Sequence, residues 1–418
     1  MTNSIPPSKM MAPSQLPHLL NYLSQLRNTS QAAHESGSLF LHITSYILCF
    51  IAASISSAGG VGGGSLYLPI LNLIAGMDLK SAAAFSSSMV TAGSVSSVLF
   101  NIFFLNKNSN SPSIIDYQIA LLSQPSMLLG VSIGVVCNVM FPEWLITALF
   151  AIFLACSTYK ICRAGRKCWK EESYHVVKEL GVEEVEEPLL EGKEKKGIPW
   201  RSLMILFLIW VTFFVLHLLV GSKDGKSMIH IKPCRVAYWL ITMFQLPTAI
   251  VFTLFILYII RQKDEQGAER NKRVKDLPLL VFPLAAILSG IMGGLFGIGG
   301  GLLINPVLLQ IGVPPQVTAG TTSFMVLFSS SMSLVQFLIL GMKDIDQALI
   351  FSAICFIASI VGLVIIQRAI ERSGRASLIV FSVSTVMALS TISISCFGAI
   401  DVWRDYTNGK NMGFRLPC

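Results

Sequence analysis

Apolar residues in this chain come in long blocks separated by short polar stretches. Ten blocks occupy 39–57, 81–104, 118–140, 143–162, 200–220, 236–260, 279–296, 318–340, 347–369 and 376–399. Each is at or near the ~20 residues that a helix needs to cross a bilayer. Two further apolar stretches, 65–75 and 302–311, are too short to cross alone and read as half-helices or re-entrant segments. The pattern predicts an all-α polytopic membrane protein of about ten transmembrane helices, in two repeats with glycine-broken half-helices. Composition agrees: 53% of the 418 residues are hydrophobic and 13% charged, against about 25% charged in soluble domains.

The repeat is carried by glycine. Gly59-Gly60-Val61-Gly62-Gly63-Gly64 and Gly297-Ile298-Gly299-Gly300-Gly301 share a Gly-x-Gly-Gly-Gly core, and each is followed by a proline, Pro69 or Pro306, five residues on. Downstream, 80–87 corresponds to 316–323 with a one-residue slip, and an aspartate, Asp116 or Asp346, opens the next span but one. Non-helical backbone inside a membrane must have its polar groups met by protein or a wet cavity. Matching broken helices in two halves point to a transporter's binding site. If the two halves are offset by six spans they run parallel; if one middle span does not cross, they are inverted.

Consecutive glycines let backbone N–H groups converge into an anion nest, and a helix starting there adds the positive end of its dipole. The candidate substrate site is therefore Gly60, Gly62, Gly63 and Gly64 with Gly297, Gly299, Gly300 and Gly301. Hydroxyls and an amide complete it: Ser65, Ser86, Ser87, Asn305, Thr321, Thr322 and Ser323. Donors of this kind suit sulfite, sulfonate or carboxylate groups. The competing reading is close helix packing, since Gly60/Gly64, Gly130/Gly134 and Gly297/Gly301 all have GxxxG spacing. Pro69 and Pro306 start or kink the short helices. Asp116 and Asp346 read as helix caps or as coupling groups, and His217 and His42, in apolar stretches, as structural histidines or proton relays.

The boundaries are a polar N-terminal segment (1–38), a first repeat (39–162), a charged loop (163–199), linking spans (200–260), a basic loop (261–278), a second repeat (279–400) and a tail (401–418). The 39–57 run leads straight into a glycine cluster, so it is part of the repeat and not a cleaved signal. The 163–199 loop starts basic, suited to anionic lipid, and turns acidic, as a solvated linker or partner-binding stretch. With ten spans, 23 of the 31 Lys and Arg fall on the side of the termini. The positive-inside rule then places both termini in the cytosol and leaves the Asn28-Thr29-Ser30 sequon unused. The nine cysteines form no CxxC and read as buried free thiols.

No HExxH, P-loop, GxSxG or metal-ligand cluster occurs, so the chain reads as a non-enzyme without cofactor or metal. Net charge is +8, but the cations flank spans without any nucleic-acid-binding spacing. The expected partners are a small anion and the lipid bilayer. An anion channel, or a receptor or scaffold acting through 163–199, stands as the alternative to a carrier.

The glycine clusters, Ile114-Ile115-Asp116-Tyr117 leading to Gln124-Pro125, and Gly312-Val313-Pro314-Pro315-Gln316-Val317 together resemble the sulfite exporter TauE/SafE family. Val236-Ala237-Tyr238-Trp239 and Gly374-Arg375-Ala376-Ser377-Leu378-Ile379 look like its plant members. The resemblance covers roughly 39–400 and implies export of sulfite or organosulfur anions across a membrane; the paired broken helices themselves predict alternating access, one bundle rocking against the other.

Overall fold

The structure is a computed structural model that describes residues 41, 43–57, 59–60, 63–105, 115–180, 200–220, 236–266, 281–373, 377–407 and 413. The helices are α1 (Ile43–Ser57), α2 (Gly64–Leu73), α3 (Leu79–Phe100, continued by a π-helical turn Asn101–Leu105), α4 (Tyr117–Met140), α5 (Glu143–Leu180), α6 (Trp200–Val220), α7 (Val236–Gln266), α8 (Val281–Phe296), α9 (Gly301–Gln310), α10 (Pro315–Ile339), α11 (Ile345–Ser373) and α12 (Ser377–Thr407). Seven of them are long and apolar enough to cross a membrane. The described residues contain no strand. The protein is an all-α polytopic membrane protein.

Local chemistry sets the helix starts. Asp78 caps α3 by accepting from the Ser81 N–H at 3.1 Å, and Asp116 caps α4 by accepting from Gln118 and Ile119. Pro314 and Pro315 open α10, where a missing N–H removes no intrahelical bond.

α3 and α4 form the centre: 78% of the apolar window of each is buried, against 17% for α7. Packing there relies on small residues, as expected where lipid removes the hydrophobic drive between helices. A Cβ on Gly130 or Gly134 of α4 would collide with the Ile287 or Ile291 carbonyl of α8, and one on Gly290 or Gly294 with the Met127 or Val131 carbonyl of α4. Larger side chains fill the flanks, as where Phe150 meets Phe296 at 4.5 Å.

Contacts across the bundle fix directions. Ser87 meets Ser333 at 3.1 Å and Thr91 donates to Ser330 at 3.1 Å, so the matching helices α3 and α10 are antiparallel. Tyr46 packs on Phe351 and Ser57 donates to Ser359, so α1 of the first half runs parallel to α11 of the second. The glycine pairs make α8 of the second half parallel to α4 of the first. Thr158 with Thr391 and Cys162 with Ser384 make α5 and α12 antiparallel. The two repeats are thus inverted and exchange helices reciprocally.

Two of the ten apolar blocks do not cross. α8 ends at Phe296 and the chain returns: Gly300 lies back against Ser289 and Gly293. At the matching place in the first half, Gly63 lies against Ser56. Each half therefore opens with a hairpin of one long and one short helix. This revises the sidedness drawn from ten crossings. One end of the bundle gathers Asn101, the 160–170 stretch of α5, Pro315, Gln367 and Phe381; we call it the basic end. The start of α1 and the 341–344 turn lie at the opposite end, not beside the 160–170 stretch, because 39–57 and 279–296 turn back.

Candidate functional site

The two half-helices begin in the same backbone conformation. Gly63 precedes α2 at φ 76, ψ −8, and Gly300 precedes α9 at φ 77, ψ −9. That left-handed region costs an L-residue about 1–2 kcal/mol, which accounts for glycine at both positions. Neither cap position offers a side-chain hydrogen bond, and first-turn N–H groups have no intrahelical acceptor. The two tips meet in the bundle interior: a Cβ on Gly64 would lie 2.6 Å from the Ile298 Cα. α2 runs from this meeting point towards the opposite end and α9 towards the basic end, so their N-termini face one another.

The seat of each tip is reciprocal. Gly60 abuts the Ala319 carbonyl and Thr322 of α10, while Gly297 abuts the Ala83 carbonyl and Ser87 of α3. Ala83 and Ala319 are each the fifth residue of their helices. A Cβ on Gly299 would meet Val90 and Val326, each the twelfth residue, at 2.8 and 2.7 Å. Gly301 opens α9, and Pro69 and Pro306 occupy the sixth position of α2 and α9. Gly62, His42 and the Asn28 sequon lie outside the described residues.

Side-chain donors tie down the carbonyls of the turns. Ser86 donates to the Gly297 carbonyl at 2.9 Å and Asn305 to that of Gly59 at 2.6 Å. Ser329 donates to the Gly299 carbonyl at 2.6 Å, and Ser289 to that of Gly300. The carbonyls of Gly59, Gly297, Gly299 and Gly300 are thereby engaged. Ser65, buried in the first turn of α2, has no partner.

The other candidate residues divide. Ser87 pairs with the Ala83 carbonyl and Ser333, and Thr322 donates to the Thr318 carbonyl at 2.7 Å. Thr321 faces α4, its hydroxyl accepting from the Asp116 N–H at 2.9 Å. Burial raises the Asp116 carboxyl above its ordinary value, opposed by the Ile119 and Gln118 N–H groups that donate to it. Asp346 is exposed in the first turn of α11. His217 sits between Ser132 (2.8 Å) and Gln336 (3.1 Å), joining α6 to α4 and α10.

Ser323 lines a small, mainly apolar cavity of about 50 Å³ in which Ser57, Asn101, Gln316 and Gln367 are the other polar residues, on the basic-end side of the Gly60 turn. At the matching place beside the Gly297 turn, Lys80 Nζ donates to the Val139 carbonyl and Asn138 to that of Leu295, both at 2.7 Å. Sequence reasoning missed Ser289 and Ser329, which carry no motif of their own. It used Gln124 only as a mark of the family resemblance and not as a site residue, although the side chain is buried in α4 with both amide atoms unpartnered. Its signal was a Gln-Pro pair in the middle of an apolar block.

The family model for the sulfite exporter TauE/SafE matches residues 16–179 and 189–391. The chain belongs to the sulfite exporter TauE/SafE family. It is 50% identical over 424 residues to sulfite exporter TauE/SafE family protein 5 of Arabidopsis thaliana, covering 95% of this chain and 93% of that one. Family proteins 2 and 1 of the same plant are each 46% identical, covering 95% and 96% of their own lengths. No solved structure matches. As a TauE/SafE-family chain it is a multi-pass membrane protein of a transporter family, and the resemblance read from its glycine clusters holds along almost its whole length.

Proposed function

We propose that this protein exports a small sulfur oxyanion, sulfite or an organosulfonate, held between the N-termini of α2 and α9. The observation carrying this reading is the pair of matching left-handed glycine caps, Gly63 and Gly300, with no side chain closing either helix. Two positive helix ends facing one point, with the neighbouring carbonyls engaged, favour a bound anion without a buried cation. Ser65 supplies a further donor. The names of the relatives supply the sulfur chemistry.

Transport by alternating access is supported by the contrast between the two ends. On the basic-end side a small cavity lies against Ser57 and Ala319 beside the Gly60 turn, while at the matching position Lys80 and Asn138 bond to the carbonyls of Val139 and Leu295. Inverted repeats turn such an asymmetry into its mirror image when the two halves exchange conformations. Of the 31 Lys and Arg, 20 lie in segments attached to the basic end. By the positive-inside rule that end is cytosolic, which places both termini on the other side of the membrane. An anion leaving a negative-inside cell gains about 2.3 kcal/mol per charge per 100 mV, so no coupling ion is required.

The test is flux of labelled sulfite into and out of proteoliposomes at a set potential, with sulfate and taurine as competitors. Saturable flux that follows the potential supports the reading. Folded protein that moves none of these anions overturns it.

A further inference from the structure

α5 is longer than a membrane requires. Its 38 residues span about 57 Å at 1.5 Å per residue, nearly twice the ~30 Å hydrocarbon core. Its apolar window ends at Lys167. Around that exit lie five exposed cations, Lys160, Arg163, Arg166, Lys167 and Lys170. Positions 160, 163, 167 and 170 fall on one stripe of the helix.

These cations form one wall of an open groove of about 1360 Å³. The facing wall is the turn Gly312–Pro315, between α9 and α10, and Phe381 of α12 completes it. Tyr159 and Trp169, both exposed, stand on the α5 side. No Asp or Glu lines the groove among the described residues. A cationic, half-apolar groove at the point where a helix leaves the bilayer combines two features. Its charge calls for a polyanion, and its aromatic and proline surface for something that also has a hydrocarbon part. The volume far exceeds the need of an inorganic phosphate.

We propose that this groove binds the headgroup of a polyanionic phospholipid of the phosphoinositide class, drawn from the adjoining leaflet. The α5 cations take the phosphates, and the turn and Phe381 take the glycerol and first methylenes. Because the turn directly follows α9, the bound lipid rests against the segment that carries one of the two glycine-capped half-helices. The binding site itself does not depend on the transport reading.

Trp169 lines the groove and reports occupancy by its fluorescence. The probe is dioctanoyl-phosphatidylinositol 4,5-bisphosphate added to the full chain in neutral detergent. Dioctanoyl-phosphatidylcholine and soluble inositol trisphosphate are the comparisons. The expected result is a saturable change with the anionic lipid alone, lost in Trp169→Phe and weakened by added salt. Each cation near an anionic headgroup contributes roughly fivefold in affinity. The quadruple variant Lys160→Gln, Arg163→Gln, Arg166→Gln, Lys170→Gln should therefore weaken binding by more than about a hundredfold. All four positions are exposed, so its melting temperature should match the parent, and Lys343→Gln at the opposite end should bind as the parent does. Equal binding of the phosphatidylcholine would reduce the groove to an apolar contact and overturn the proposal. Inositol trisphosphate binding as tightly as the lipid would make it a site for a soluble polyphosphate. A quadruple variant that binds undiminished would remove the cations from the site.

Discussion

Ser65 is the residue where stability and function pull apart most cleanly. A buried hydroxyl without a partner costs about 1–3 kcal/mol, so Ser65→Ala should leave the melting temperature unchanged or raise it. If the hydroxyl serves the anion between α2 and α9, the same variant should raise the KM for sulfite several-fold. An unchanged KM would show that it does not touch the substrate. The glycine caps allow a second comparison. Gly300→Ala forces a side chain into the left-handed region and puts its Cβ 2.7 Å from Met127 Cε and 2.8 Å from the Ser289 carbonyl. Gly76 shares the positive φ, at 69, but has open space around it. Gly76→Ala should therefore cost about 1–2 kcal/mol of stability and keep sulfite flux, while Gly300→Ala should abolish flux. Flux measured on surface-expressed protein separates the two. Equal flux in both variants would mean that the Gly300 turn tolerates a side chain and is no tight seat.

At the scale of the helix, what was legible in the sequence were the things that local pattern encodes. The apolar blocks are all helical, and the two short stretches after the glycines are half-helices, because three near-adjacent glycines break a helix and a hydrophobic run resumes behind them. Direction was not legible. A block of apolar residues is equally apolar whether it crosses or turns back, so 39–57 and 279–296 read as spans. The return of 279–296 depends on Gly293 and Ser289 accepting Gly300 against them, and that of 39–57 on Ser56 meeting Gly63, contacts that no single position advertises. The candidate hydroxyls were legible as donors, but not their targets: Ser86 and Asn305 donate to turn carbonyls far away in the chain. Gly130 and Gly134 illustrate the converse, since their spacing did announce close packing, and α8 lies against them. Gly290→Ala should push its Cβ into the Met127 carbonyl and separate α8 from α4. The expected outcome is a melting temperature lowered by several degrees, or loss of folded protein. Gly93→Ala on α3, whose Cβ would meet only the Ser359 hydroxyl at 3.1 Å, should melt close to the parent. Equal melting of the two variants would mean that the α4–α8 contact yields at little cost.

For the molecule as a whole, inversion of the repeats decides which end faces which compartment, because the packing links every helix end to one of two faces. Parity does the rest. With both hairpins turning back, the start of α1 and the 341–344 turn share a face, and the 160–170 stretch lies on the other. Charge distinguishes two orientations of one arrangement, and under the proposed reading the 20 of 31 cations in segments attached to the basic end put that end in the cytosol. The consequence falls on Asn28, thirteen residues before Leu41. A sequon that ten crossings would leave in the cytosol falls on the glycosylated side if both hairpins turn back and the basic end is cytosolic. Expressed in microsomes, the full chain should carry one N-glycan, removed by Asn28→Gln. A protease added outside those microsomes should cut a tag placed within 181–199 and spare a tag after Cys418. The opposite protection pattern would invert the whole arrangement against its charge. Both tags cut together would mean that the hairpins cross after all, and that the inverted pairing of α3 with α10 is wrong.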